Sequence, residues 1–133
     1  MTGGHDGMGK AICKELGKTS AIVLAGRNPA KLETAKAELD ELGVESYLYK
    51  TDIADRAQVQ ALADYAASLG SVKQSIHTSG VSPSDTGTEN IIKINAVGTA
   101  NMVEAFYPVL AKDGVMDIKW AALRSGKPPI LKG

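Results

Sequence analysis

At 133 residues and 13.9 kDa the chain is sized for one domain. Its 15 Lys+Arg and 15 Asp+Glu cancel to a formal net charge of zero, which removes the electrostatic footprint of a nucleic-acid binder or a polybasic membrane-surface protein. Hydrophobic residues at 44% and charged residues at 23% exclude a disordered composition, and aromatics at 5% leave any core to Ala, Leu, Ile and Val.

The chain opens on Thr2-Gly3-Gly4-His5-Asp6-Gly7-Met8-Gly9, without the basic-then-apolar pattern of a secretory signal. No apolar run approaches the ~20 residues that span a bilayer. The lone Cys13 cannot make an internal disulfide, so a reducing, cytoplasmic setting is expected. Gly3, Gly7 and Gly9 precede a helix whose apolar positions are Met8, Ile12 and Leu16. Glycines so spaced permit a tight turn, let backbone N–H groups approach a pyrophosphate, and allow close helix–strand packing. The helix N-terminus adds a positive dipole and unpaired donors for the anion. His5 lies in the same loop, and nothing in the sequence requires it for phosphate contact.

Ala21 to Ala25 is a continuous apolar run, the pattern of a strand buried on both faces of a parallel sheet. Asn28 reads as an N-cap with Pro29 at the first helical position. Leu32, Ala35, Leu39 and Leu42 mark the helix face, and Gly43 closes it. Val44 to Ile53 reads as a second strand. Asp55 and Gln58 resemble a capping box before a helix faced by Val59, Leu62, Ala66 and Leu69 and ended by Gly70. Ser71 to Thr78 is a weaker strand, and Ser79 to Gly87 a loop. One long helix is expected from about Thr88 to Lys112, with Ile91, Asn95, Gly98, Met102 and Ala105 on one stripe, and a fourth strand over Val115 to Trp120. The alternation predicts an α/β fold with a parallel sheet covered on both sides.

A ribose-binding acid belongs about 20 residues beyond such a glycine loop in an NAD binder. The strand instead ends in Gly26-Arg27-Asn28. An arginine there suits a 2′-phosphate through charge-assisted bidentate contacts, so NADP is expected over NAD. The same feature argues against a methyltransferase-type domain, which needs an acid at that strand end to hold ribose hydroxyls.

With these segments together, residues 2 to 116 resemble a short-chain dehydrogenase/reductase. Thr2-Gly3-x-x-x-Gly7-x-Gly9 matches the cofactor loop of that family, and Gly26-Arg27-Asn28 is similar to the turn of its NADP-preferring members. Thr51-Asp52-Ile53 resembles the stretch that contacts adenine. His77-Thr78-Ser79-Gly80 falls where the family usually has Asn-Asn-Ala-Gly, and Asn95 matches the helix asparagine of its active site. The resemblance implies a Rossmann-like three-layer sandwich. It implies Gly3, Gly7, Met8 and Gly9 at the pyrophosphate, Arg27 at the 2′-phosphate and Asp52 with Ile53 at the adenine. Gly80 would lie under the nicotinamide ribose, and Asn95 is the one catalytic position matched. The implied reaction is hydride transfer to or from a small carbonyl or alcohol; no metal, nucleic acid or membrane enters it. Dimers through the 88–112 helix are a further implication.

Two expectations concern what is missing. The family reaction uses a tyrosine with a lysine four residues later, one helical turn apart so that the ammonium lowers the phenol pKa. Tyr47, Tyr49, Tyr65 and Tyr107 are followed at that spacing by Thr51, Ile53, Leu69 and Ala111, so turnover by this chain alone is not expected. A non-catalytic dinucleotide-binding or dimerisation module is the alternative. Family members also carry a buried central strand before the Thr-Gly, where only Met1 stands here. The fold is therefore expected to be incomplete at both ends, with 1–116 as the nucleotide-binding domain and 117–133 as a tail unlike the family. Such a chain should be marginally stable unless a partner or its own tail fills the gap.

Overall fold

The computed structural model describes residues 1–4, 7–79 and 86–118, without the side chains of Gly7 and Met8. His5, Asp6, Gly80 and the tail from residue 119 onward lie outside the described residues.

The order is α1 (Gly7–Leu16), β1 (Ile22–Gly26), α2 (Pro29–Glu41), β2 (Ser46–Lys50), α3 (Arg56–Leu69), β3 (Val72–His77) and α4 (Thr88–Ile91). A π-helical turn (Ile92–Val97), α5 (Gly98–Phe106), a 3-10 turn (Tyr107–Val109) and β4 (Leu110–Ile118) follow. β1 pairs with β2, and β3 with β4, all in parallel. Two apolar clusters cover opposite sides. Cys13, Leu32, Ala35 and Leu39 from α1 and α2 pack with Ile22, Leu24 and Val44. Val59, Leu62 and Ala63 from α3 pack with Met102, Ala105 and Phe106 from α5 against Ala25 and Ile53. The architecture is the expected three-layer α/β sandwich on an incomplete parallel sheet.

Local chemistry explains the well-read elements. The Asn28 side chain accepts from the Ala30 and Lys31 N–H groups at 3.0 and 3.3 Å, and Pro29 opens α2. At the far end Gly43 and Val44 donate to the Asp40 and Leu39 carbonyls at 3.0 and 2.9 Å, a two-bond terminator. Asp55 caps α3 through the Ala57 and Gln58 N–H groups. The expected box closes differently, because Gln58 accepts from the Asp52 N–H at 2.9 Å rather than from Asp55.

Three sequence expectations need correction. The helix begun at Thr88 ends at Phe106, not Lys112, because Pro108 lacks an N–H and tightens the chain into the 3-10 turn. β4 consequently starts at Leu110 instead of Val115, and its partners jump from Leu110 to Val115 between Val72 and Gln74. Among the described side chains of α1 the fully buried one is Cys13, whereas Ile12 is half-buried. Burial pushes the Cys13 thiol up to about 11, as befits a packing residue.

The centre of the sheet is occupied in part. Thr2 bridges Ala25 on one side and His77 on the other, both in parallel. The Met1 amine donates to the Val23 carbonyl at 2.8 Å, and the Ala25 N–H donates to the Met1 carbonyl at 2.9 Å. The Thr2 N–H donates to the Ile76 carbonyl at 3.0 Å. Met1 and Thr2 thus stand as a two-residue central strand between β1 and β3. Burial holds the Met1 amine down at about 6.

Candidate functional site

All strands are parallel, so the strand ends at Thr2, Gly26, Lys50 and His77 share one edge of the sheet. From Thr2 the chain runs through α1 to β1 on one side, while β3 lies on the other. That reversal of direction is a topological switch point, where α/β sheets open a crevice for ligands. Gly3 and the start of α1 lie at this crevice.

The glycine turn is sterically obligatory. Gly3 has φ +71°, where L side chains rarely sit, and a Cβ on it would strike the Thr78 hydroxyl. A Cβ on Gly9 would run into the Gly3 carbonyl, a backbone group that cannot rotate away. Thr78 clamps the turn from β3, donating its hydroxyl at 2.9 Å and its N–H at 3.3 Å to the Thr2 carbonyl. Gly3 and Gly9 thus meet through backbone, with no room for a Cβ on Gly9. Such a backbone turn fits a diphosphate approaching main-chain N–H groups.

The other expected residues sit around the same edge. Arg27 is exposed at the end of β1, and among the described residues no ion pair or hydrogen bond ties down its guanidinium. Asp52 is half-buried after β2, and one carboxylate oxygen accepts from the Ala54 N–H at 3.0 Å, a local turn. The Ile53 side chain belongs to the core beneath α5. Asn95 lies in the π-helical turn, half-buried. Such a turn widens the helix by one residue, a feature concentrated at functional sites. Gly80 and His5 lie outside the described residues.

Two residues absent from the expected site organise it. The Asn101 amide is buried and donates to the Ile53 carbonyl at 2.9 Å, latching α5 to the segment after β2. His77 is buried and joins two elements through its two ring nitrogens. Nδ1 lies 2.6 Å from the Thr2 hydroxyl and Nε2 lies 3.0 Å from the Thr99 hydroxyl. The Thr99 hydroxyl spends its proton on the Asn95 carbonyl at 2.7 Å, so it accepts from Nε2–H, and Nδ1 accepts from Thr2. The hydroxyls that satisfy His77 lie 75 and 22 residues away in the sequence. Burial pushes the His77 pKa down to about 4, with the Met1 ammonium adding to the effect, so the ring stays neutral at pH 7. The relay runs from the glycine turn to the backbone of Asn95.

A family model for short chain dehydrogenases matches residues 1–118. The chain belongs to the short-chain dehydrogenase family. It is 27% identical over 124 residues to carbonyl reductase (NADPH) 3 of Homo sapiens, covering 86% of this chain and 45% of that protein. To a short-chain dehydrogenase/reductase of Alternaria brassicicola it is 26% identical over 111 residues, 84% of this chain and 40% of the other. The chain thus spans less than half the length of these curated relatives. A short chain dehydrogenase/reductase of Burkholderia phymatum, solved in complex with NAD, is 28% identical with a TM-score of 0.74 over 83% of this chain and 42% of that one. An NADPH-bound short chain oxidoreductase of Pseudomonas aeruginosa shares the fold, with a TM-score of 0.77 at 23% identity over 88% and 51% of the two chains. Among the described residues, no helix of this family member is long and apolar enough to cross a membrane.

Proposed function

We propose that this chain is the NADP-binding portion of a short-chain dehydrogenase/reductase acting on a small carbonyl or alcohol. The observation that carries the reading is the close approach of Gly9 to the Gly3 carbonyl at the switch point, where a Cβ on Gly9 would collide with backbone. Gly3, Gly7, Met8 and Gly9 would hold the pyrophosphate, Arg27 the 2′-phosphate, Asp52 and Ile53 the adenine, and Gly80 the nicotinamide ribose. When bound, the coenzyme supplies hydride donation or acceptance. The chain's own part is to fix the Asn95 backbone through Thr99 and His77 beside that crevice. The segments divide as 1–116 for coenzyme binding and 117–133 as a tail outside the family pattern.

Fluorescence titration of NADPH into the folded 133-residue chain tests this reading, with saturable binding as the expected outcome. Failure to saturate at millimolar coenzyme would overturn it. Arg27→Ala should weaken NADPH by about 10-fold and leave NADH nearly unchanged, because only the former carries the 2′-phosphate. Equal losses for both would remove Arg27 from the phosphate site.

A second reading is a non-catalytic dinucleotide-binding or dimerisation module, favoured by the apolar side chains exposed along the 88–112 stretch. Ile92 and Val97 are exposed at 56% and 44%, apolar surface consistent with pairing through the 88–112 stretch. Tight NADPH binding, a dimer in sedimentation and no carbonyl reduction would support it.

A further inference from the structure

The coil after β2 is held from β1, α3 and α5, and two of its polar groups stay open. The Thr51 N–H donates to the Gly26 carbonyl at 2.8 Å, on the β1 side. The Asp52 N–H turns to the α3 side and donates to the Gln58 side-chain oxygen at 2.9 Å. The Asp52 carbonyl accepts from the Asp55 N–H at 3.0 Å, and the Ile53 carbonyl from the Asn101 amide at 2.9 Å. One Asp52 carboxylate oxygen accepts from the Ala54 N–H at 3.0 Å. Among the described residues, no acceptor meets the Ile53 N–H and no donor meets the second Asp52 carboxylate oxygen. Ile53 itself is 6% exposed. An uncommitted N–H on a buried residue is rare and costs free energy until an acceptor reaches it.

A donor beside an acceptor matches the edge of a 6-aminopurine, whose ring N1 accepts and whose amino group donates. A 6-oxopurine presents the opposite pair, a carbonyl oxygen facing the carboxylate and a ring N–H facing an N–H. The protein edge discriminates only while its two groups hold their places. Gln58 supplies that constraint. A normal capping box would send its side chain to the Asp55 N–H, but the Asp52 carbonyl already takes that donor. The side-chain oxygen reaches the Asp52 N–H instead, and the side-chain N–H donates to the Asp55 carboxylate at 3.1 Å. With an N–H at one end and a carboxylate at the other, the amide has a single orientation. The bridge ties the Asp52 backbone to the first turn of α3, whose own cap Asp55 makes through the Ala57 and Gln58 N–H groups.

We infer that Gln58 is a positioning residue for the adenine: it holds the Asp52–Ile53 edge in the geometry that separates a 6-amino from a 6-oxo purine. The inference rests on the coenzyme reading above and adds a residue that acts through Asp52. Gln58 is exposed, so its replacement leaves the core intact and falls on recognition of the base.

The test titrates the full chain with NADPH and with its 6-oxo analogue, reduced nicotinamide hypoxanthine dinucleotide phosphate, both followed by nicotinamide fluorescence. The wild type should bind NADPH about 10-fold tighter than the analogue. Gln58→Leu should bring that ratio to about 2-fold or less, through weaker NADPH with the analogue nearly unchanged. Gln58→Glu keeps an acceptor oxygen for the Asp52 N–H and should restore most of the ratio. Gln60→Leu removes a likewise exposed glutamine, bonded to Asp64 on the same helix, and should leave the ratio as in the wild type. Equal weakening of both coenzymes in Gln58→Leu would make the residue merely structural and overturn the inference, as would a ratio near one in the wild type. A wild-type chain that binds neither coenzyme would refute the coenzyme reading itself, and the inference with it.

Discussion

Above Thr2, the β1 and β3 edges are tied by backbone bonds, the Thr78 clamp and the His77 relay, whereas below Met1 the same two edges face a cavity. The upper region is polar and hydrogen-bonded, built from residues distant in sequence. The lower region is lined by a mixture of apolar residues such as Ile22, Leu62 and Phe106 and polar ones such as Glu45, Lys73 and Gln74, and is unpaired by any strand among the described residues. Hydrogen bonds between groups far apart in sequence hold the order of the glycine turn.

The largest expected effect breaks the upper region outright. Gly9→Val drives a branched side chain into the Gly3 carbonyl, and NADPH affinity should fall by about 100-fold or more in fluorescence titration. A variant retaining wild-type affinity would show that the turn does not hold the diphosphate.

Acid sharpens the comparison next. The folded pKa of His77 is about 4 against an ordinary 6.5, so between these values the unfolded chain binds the extra proton. Its contribution is complete above pH 6.5 and is lost as pH falls toward 4, about 3 kcal/mol in all. Denaturant titrations across that range should show the slope, and His77→Gln should flatten it. An unchanged slope in the variant would remove His77 as its source.

A smaller loss tests the latch between α5 and the segment after β2. Asn101→Ala leaves the buried Ile53 carbonyl without its donor and should cost about 2 kcal/mol in chemical denaturation. The smallest effect belongs to a cap outside both regions: Asn28→Ala exposes the first turn of α2 and should cost about 1 kcal/mol, with NADPH affinity unaltered. A change in coenzyme binding in the latter would mean that α2 and the glycine turn are coupled.

The parts legible in the sequence are those set by neighbours along the chain. Asn28-Pro29 and Gly43 delimit the two ends of α2 through bonds to groups only a few residues away along the chain, so local chemistry suffices. The glycine turn was legible because its spacing is itself the steric requirement. The end of α5 was misplaced because apolar residues continue at helical spacing past Pro108, whose missing N–H outweighs that pattern. The edge of β4 was obscured by Lys112, Asp113 and Gly114, which loop out between its two paired segments. His77 and Asn101 were illegible for another reason. Their partners lie 75 and 48 residues away, and only the folded sheet brings them together.

The Thr99 hydroxyl has a single proton, and the Asn95 carbonyl holds it. Protonation of the histidine at Nδ1 would therefore propagate in one direction only: Thr2 would have to surrender its donor role and turn its oxygen lone pair toward the ring, while the threonine on the helix keeps its arrangement. An acidic medium would reorganise the strand side of the crevice first and leave the helical side standing.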